Sequence, residues 1–293
     1  MDSIDRVAIV GGTHGNELTG AYLIKKFRRH PEAIARESFE TQTLLGNPEA
    51  LQARQRYLGK DLNRCFGSHA LQDPNPATRE DRRAQQIDRA LGPKGNAQVD
   101  FILDLHTTSA NMGASLIFVR DGPFDFQLAA RLCATDPSLG VYSWIEPERE
   151  PNFLNAIASR GFAIEVGPIT PGTLAPEIFA TTERLVHAVL DGIDAFNRQR
   201  WSQPAPPLTV YRHQRRIDYP KTSDGDLDGF IHPQRQGRDF EAMAPGDPLF
   251  LTLDGHAIGY DGPEVVHPVF VNEAAYYEKG IAMCLTQPER MAL

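Results

Sequence analysis

Residues 7–20, VAIVGGTHGNELTG, place a strand, a glycine turn and a helix start within one short stretch. Val7-Ala8-Ile9-Val10 has the apolar, largely β-branched character of a buried strand. From Glu17 through Arg29 there is no proline and only one glycine, Gly20, and Leu18, Ala21, Tyr22 and Leu23 suit one face of a helix. His14 and Glu17 therefore occupy a strand-to-helix turn at the carboxyl end of a strand, which is where open α/β sheets bind ligands. Three readings of that turn compete. In the plainest, the glycines make a tight turn, His14 caps locally, and Glu17 favours the positive end of the helix. A phosphate site is weaker, because the spacing is neither GxGxxG nor GxxxxGK[ST] and Glu17 would repel an anion. In the third, imidazole and carboxylate ligate one divalent metal, which requires a further ligand from elsewhere in the chain.

The 293 residues suffice for one large domain or a main domain with a smaller one, and 41% hydrophobic with 23% charged content is ordinary for a globular chain. A net charge of −8 argues against a nucleic-acid surface and leaves no basic patch for anionic lipid. No apolar stretch approaches a membrane span, and MDSIDRVAIV lacks the basic start of a signal peptide. Cys65, Cys133 and Cys284 are far apart, odd in number and without CxxC spacing, so reduced thiols and a cytoplasmic location are expected. A thiolate nucleophile at Cys65 would have only His69 nearby as a base.

Up to about residue 200, strand-like runs alternate with helix-like segments, the pattern of an α/β sheet covered by helices. Expected strands are Val7–Val10, Thr43–Leu45, Phe101–Leu105, Leu116–Val119 and Phe162–Val166. Expected helices include Arg79–Leu91, Phe126–Ala134 and Thr181–Arg198, the last with Leu185, Val189, Ile193 and Phe196 on one face and His187 on the solvated side. The proline-rich SQPAPPLTV, 202–210, reads as a linker, since proline serves neither a helix interior nor a central strand. Beyond it, short β-like runs broken by turns predict a second, β-rich unit from about residue 205 to the end, after a first unit spanning 1–201.

The missing ligand is offered by VDFILDLHTTS, 99–109, an apolar strand that runs into Asp104 and His106. These two differ by two positions and so share a strand face, which lets Asp104 orient His106. Two imidazoles and a carboxylate, leaving an open position, form a catalytic zinc donor set. A zinc hydrolase also needs a base, an oxyanion stabiliser and a substrate anchor. Glu165 stands among apolar neighbours in FAIEVGP, 162–168, where a carboxylate is costly without a purpose, although a salt-bridged structural glutamate would read the same. RYLGKDLNRCF, 56–66, holds Arg56, Asp61, Asn63 and Arg64, and arginine offers a forked donor for carboxylates.

GGTHGNELTG, GNP (46–48), RYLGKDLNR (56–64), DLHTTSANMG (104–113), IEVGP (164–168), APGDPLFLTLDG (244–255) and PVFVNEAAYYEK (268–279) closely resemble the aspartoacylase family, of the zinc carboxypeptidase-like superfamily, in order over nearly the whole chain. The resemblance implies a carboxypeptidase-like α/β domain with a mixed sheet flanked by helices, and a C-terminal β-rich domain over the active-site entrance. It implies hydrolysis of N-acyl amino acids, typically N-acetyl-L-aspartate, with one Zn2+ per chain held by His14, Glu17 and His106. By the same resemblance Glu165 is the general base and Arg56 polarises the scissile carbonyl. Asn63 and Arg64 hold the substrate's α-carboxylate, and Tyr276 contacts substrate from the C-terminal domain. A homodimer is also consistent with the family. One departure concerns specificity. Where such enzymes carry an arginine ten residues before the base, and a tyrosine four residues earlier, this chain has Asn155 and Pro151. Arg149 or Arg160 would have to take the cationic role if aspartate is the substrate; otherwise a related aminoacylase with another side-chain preference results. A metal-stabilised binding protein without catalysis is disfavoured by the base and both arginines.

Overall fold

Those runs fold into a mixed α/β structure whose computed structural model describes residues 2–146 and 148–293. The strands are β1 (Arg6–Gly11), β2 (Glu40–Leu45), β3 (Phe101–Thr107), β4 (Ala114–Phe118), β5 (Gly140–Ser143), β6 (Arg160–Val166), β7 (Leu208–Ile217), β8 (Gly229–Ile231), β9 (Pro248–Thr252), β10 (Ala257–Gly259), β11 (His267–Val269) and β12 (Met283–Met291). The helices are α1 (Leu18–Arg29), α2 (Pro48–Ala53), α3 (Ser68–Gln72), α4 (Arg79–Leu91), α5 (Pro123–Thr135) and α6 (Pro176–Asn197). Each expected strand and helix forms, most of them starting earlier than expected, while β4 stops at Phe118 and α6 at Asn197, one residue short of expectation. β2 begins at Glu40 rather than Thr43 because it is the outer strand of the sheet, where alternate residues face water and no apolar run marks the start.

Nine strands make one sheet in the order β11-β12-β7-β5-β4-β6-β3-β1-β2. β2, β1, β3 and β6 run parallel, whereas β4 is antiparallel to β6. Alternation along the strands separates two apolar layers. Val7, Ile9, Phe101 and Leu103 pack with Leu23, Ile24 and Phe27 of α1 and with Val186, Val189 and Ile193 of α6. Ala8, Val10 and Ile102 point the other way, onto Ala84, Ile87 and Leu91 of α4. Each such buried side chain contributes about 1.5–3 kcal/mol relative to exposure. Asp104 and His106 continue the Ile102 face and emerge where the apolar layer ends. His187 is only partly on a solvated side: its side chain keeps 32% exposure, and its ring stands edge-on to Phe27 at 6.1 Å. Tyr22 is exposed, its ring covered by Lys25 instead of the core.

The proline-rich segment leads from α6 into β7, which pairs with β5 through Tyr142–Tyr211 and Ser143–Arg212. The sheet therefore runs on into the β-rich C-terminal part, where β12 and β11 add antiparallel and β10-β9-β8 form a second small sheet. Among the described residues no helix is long and apolar enough to cross a membrane, and all three cysteines are free.

Glu273 ties this C-terminal part to the carboxyl edge of the main sheet. Its Oε2 accepts from Thr108 Oγ1, from Ser109 N at 2.7 Å and from Ala110 N at 3.2 Å, all just beyond β3. Its Oε1 accepts Ala275 N at 3.0 Å and so caps the 3-10 turn Ala274–Lys279. Glu273→Ala leaves several buried donors without a partner, so urea unfolding should report a stability loss of about 3 kcal/mol. A loss below 1 kcal/mol would mean that the clamp is dispensable.

Candidate active site

The turn after β1 works because two backbones meet closely. A side chain at Gly11 would lie 2.3 Å from the carbonyl oxygen of Gly20, so glycine lets α1 pack against the strand end. Gly12 then takes φ +69°, which turns the chain toward His14. His14 and Glu17 reach the same point as His106 from the neighbouring strand.

His14 Nδ1 lies 2.6 Å from Glu17 Oε1, and His106 Nδ1 lies 2.9 Å from Glu17 Oε2. The three side chains offer ligand atoms within 4.8 Å of one another, and all three are buried. Each imidazole has its far nitrogen on a carboxylate: His14 Nε2 on Asp61 Oδ1 at 2.9 Å, and His106 Nε2 on Asp104 Oδ2 at 2.8 Å. Those carboxylates can hold the Nε2 protons, so that each Nδ1 points inward and offers its lone pair once a metal replaces its proton, as metal-ligating histidines require. Asp104 is itself fixed by Thr13 Oγ1 at 2.7 Å, and Asp61 by Asn63 N at 3.0 Å and Lys279 Nζ at 2.6 Å. Burial alone would raise the Glu17 carboxyl, but His14 and His106 hold it well below the ordinary carboxylate range. Burial likewise opposes a charge on His106, yet Asp104 and Glu17 raise it well above the ordinary imidazole value. The cluster thus favours positive charge at its centre, and a divalent cation can take the place of the imidazole protons.

Glu165 faces His106 across the β3–β6 register. Desolvation pushes its carboxyl well above the ordinary range, and Glu17 and Glu273 add to the effect. Arg56 Nη1 donates to Glu17 Oε1 at 2.8 Å, while its Nε is buried without a partner. Asn63 accepts Leu154 N on Oδ1 at 2.8 Å. Arg64 donates to the Asn63 carbonyl at 2.8 Å, and its guanidinium lies over the rings of Phe153 and Trp144, at 4.4 and 5.4 Å. Tyr276 is buried against Phe270 and Trp144. One cavity is lined by His14, Glu17, Arg56, Asn63, Arg64, His106, Glu165 and Tyr276 together, so the structure gathers the eight residues to which the resemblance gave a metal, catalytic or substrate role.

Sequence reasoning missed the apolar wall of that cavity, made by Ile117, Val119, Trp144, Phe153, Ala163 and Phe270. In sequence these read as core, and only the fold places them beside Glu165. It also missed the pairing of Asp61 with His14 and the reach of Lys279. The two cationic candidates for a side-chain carboxylate do not enter the cavity. Arg149 is 72% exposed and pairs with Glu146 at 3.0 Å. Arg160 begins β6, at the end opposite Glu165, and donates to the Asp2 carbonyl. Among the described residues the cavity's cations are Arg56 and Arg64. Asn155 does line it, whereas Pro151 borders the neighbouring outer cavity. Cys65 does not line the cavity: it is fully buried, its Sγ donates to the Asp61 carbonyl at 3.3 Å, and burial pushes its thiol up to about 12.

Residues 3–193 match the family described as "Succinylglutamate desuccinylase/Aspartoacylase catalytic domain", and residues 206–288 match the "AstE/AspA barrel-sandwich hybrid domain". The chain is 50% identical over 289 residues to a "Probable aspartoacylase" of Trichodesmium erythraeum, covering 99% of each. It is 40% identical to the "N-acyl-aromatic-L-amino acid amidohydrolase (carboxylate-forming)" of Rattus norvegicus, covering 98% of this chain and 92% of that one. The crystal structure of murine aminoacylase 3 superimposes with a TM-score of 0.94 at 38% identity, over 99% of this chain and 97% of that chain.

Proposed function

We propose, because the chain belongs to the succinylglutamate desuccinylase/aspartoacylase family, that it is an amidohydrolase releasing a carboxylate and a free amino acid from an N-acyl-L-amino acid. The observation that carries this reading is the convergence of His14 Nδ1, Glu17 and His106 Nδ1 beside Glu165. We assign one zinc ion to that triad. Two imidazoles and a carboxylate suit zinc, and both imidazoles have carboxylate partners behind them. When bound, zinc supplies the charge that polarises the scissile carbonyl and makes water acidic enough to attack near neutral pH. We place the catalytic unit at 1–201 and the β-rich unit at 205–293.

In this reading Arg64, with the Nδ2 of Asn63, takes the α-carboxylate of the substrate. Arg56 donates to the carbonyl oxygen as it gains charge. Glu165 removes a proton from the attacking water, whose oxygen bonds to the carbonyl carbon. Glu165 then returns that proton to the nitrogen as the C–N bond breaks. Tyr276 closes the cavity from the C-terminal unit. Arg56 and Arg64 should fail in different ways. Arg56 acts on charge that develops during reaction, so Arg56→Ala should lower kcat by roughly 100-fold with little change in KM. Arg64 meets a charge already present, so Arg64→Ala should raise KM by roughly 10- to 150-fold, the worth of a charge-assisted hydrogen bond. Matching kinetic signatures in the two variants would break the assignment.

The wall of the cavity favours neutral side chains over aspartate. Arg56 is engaged by Glu17 and Asp61, and Arg64 is assigned to the α-carboxylate, which leaves no arginine or lysine of the cavity, among the described residues, for a second one. A buried carboxylate without a partner carries a large desolvation cost. The aspartate reading has its own support in the 50% identity to a protein named a probable aspartoacylase. A deacetylation panel of N-acetyl-Asp, -Glu, -Leu and -Tyr with zinc-loaded enzyme decides between them. Turnover of N-acetyl-Asp above the neutral members would restore the aspartate reading.

A further inference from the structure

Asn155 is 2% exposed, yet its Nδ2 has no hydrogen-bond partner among the described residues. A buried amide left in that state costs stability unless something else satisfies it. The backbone around it is firmly held. Asn63 Oδ1 accepts the preceding amide, Leu154 N, at 2.8 Å, and Arg120 donates both to the Asn155 carbonyl and to that of Ala158. The unsatisfied group is therefore not the result of a loose segment. It sits in the wall of the catalytic cavity, among Ile117, Val119, Trp144, Phe153 and Ala163. Arg120 has both terminal nitrogens of its guanidinium committed to the two carbonyls.

We propose that Asn155 is a specificity-determining residue whose amide hydrogen-bonds the uncharged polar end of the substrate's side chain, favouring N-acyl-L-tyrosine over N-acyl-L-phenylalanine. The proposal rests on the amidohydrolase reading above. An amide suits such a tip because it offers a donor at one end and an acceptor at the other, and a phenol can use either. The surrounding wall accepts the ring, and the lack of a free cation disfavours an acidic tip. A site with a buried hydrogen-bonding group rejects an analogue that leaves the group unpaired much more strongly than a purely apolar pocket rejects a change of size.

The test measures kcat/KM on N-acetyl-L-Tyr, N-acetyl-L-Phe and N-acetyl-L-Asp for zinc-loaded wild type, Asn155→Leu and Asn155→Ala. Wild type should prefer the tyrosine compound over the phenylalanine compound by roughly 10-fold. In Asn155→Leu that ratio should fall to about 1, through loss on tyrosine, with turnover of the phenylalanine compound kept or raised. The melting temperature of Asn155→Leu should be no lower than that of wild type, since an unpaired amide has been removed; a merely structural asparagine would give a lower one. Asn155→Ala should show the same collapse of the ratio, so that a folding defect in one variant does not decide the matter. An unchanged ratio in a folded variant, or a wild type that prefers phenylalanine or aspartate, overturns the proposal and leaves the amidohydrolase reading standing. If wild type hydrolyses none of the three, the amidohydrolase reading falls and this proposal falls with it.

Discussion

Glu165→Gln should lower kcat by at least ~100-fold while zinc binding stays as in wild type, the lower end of what a general base contributes. Gln keeps the shape of the side chain and removes the basic oxygen. The proposed role fits its position: it lies across the strand pair from His106, and desolvation together with Glu17 and Glu273 raises its carboxyl well above the ordinary range. A base of that kind holds its proton more readily once taken, which helps it serve the leaving nitrogen. The acid limb of kcat/KM should belong to Glu165, since activity is lost as falling pH protonates it, and that limb should be absent from the residual activity of the variant. Near-normal turnover in Glu165→Gln would remove Glu165 from the mechanism.

Activity should also vanish when zinc is withdrawn by a chelator, and His106→Ala should weaken zinc binding by more than ~100-fold in a competitive titration. Loss of an outer partner of a ligand costs roughly 10- to 100-fold, and loss of the ligand itself should exceed that. Asp104→Asn is the graded comparison, because it keeps His106 and disturbs only the carboxylate on its Nε2. The order expected is wild type, then Asp104→Asn, then His106→Ala. Tight, full zinc occupancy in His106→Ala would sink the ligand assignment.

The centre of this site was legible because it lies on regular elements. HxxE at one strand end and His106 at another need only the parallel pairing of β1 and β3 to meet. Glu165 needs one more strand, and a carboxylate within an apolar run pointed to it without separating a base from a structural glutamate. The specificity wall was not legible, because its members belong to several elements and look like core from sequence alone. Arg149 and Arg160 show how far sequence proximity misleads. Five residues along an extended strand carry Arg160 roughly 16 Å from Glu165, and Arg149 turns outward to Glu146. Tyr276 carried no local signal, since its place follows from the clamp that Glu273 makes at the carboxyl edge of the sheet.

The stacking of Arg64 on Trp144 gives the protein a built-in optical reporter. The chain has two tryptophans. Trp201 stacks on Phe124, with ring centroids 5.5 Å apart, and packs against the sheet's helical layer, away from the cavity. Trp144 lies in the cavity wall between two guanidinium groups, those of Arg64 and Arg216. A carboxylate that draws Arg64 toward itself alters the charge above the Trp144 indole, while Trp201 stays constant as an internal reference. On the proposed assignment of Arg64 to the substrate's carboxylate, binding should register as a change in emission, without turnover, label or coupled enzyme.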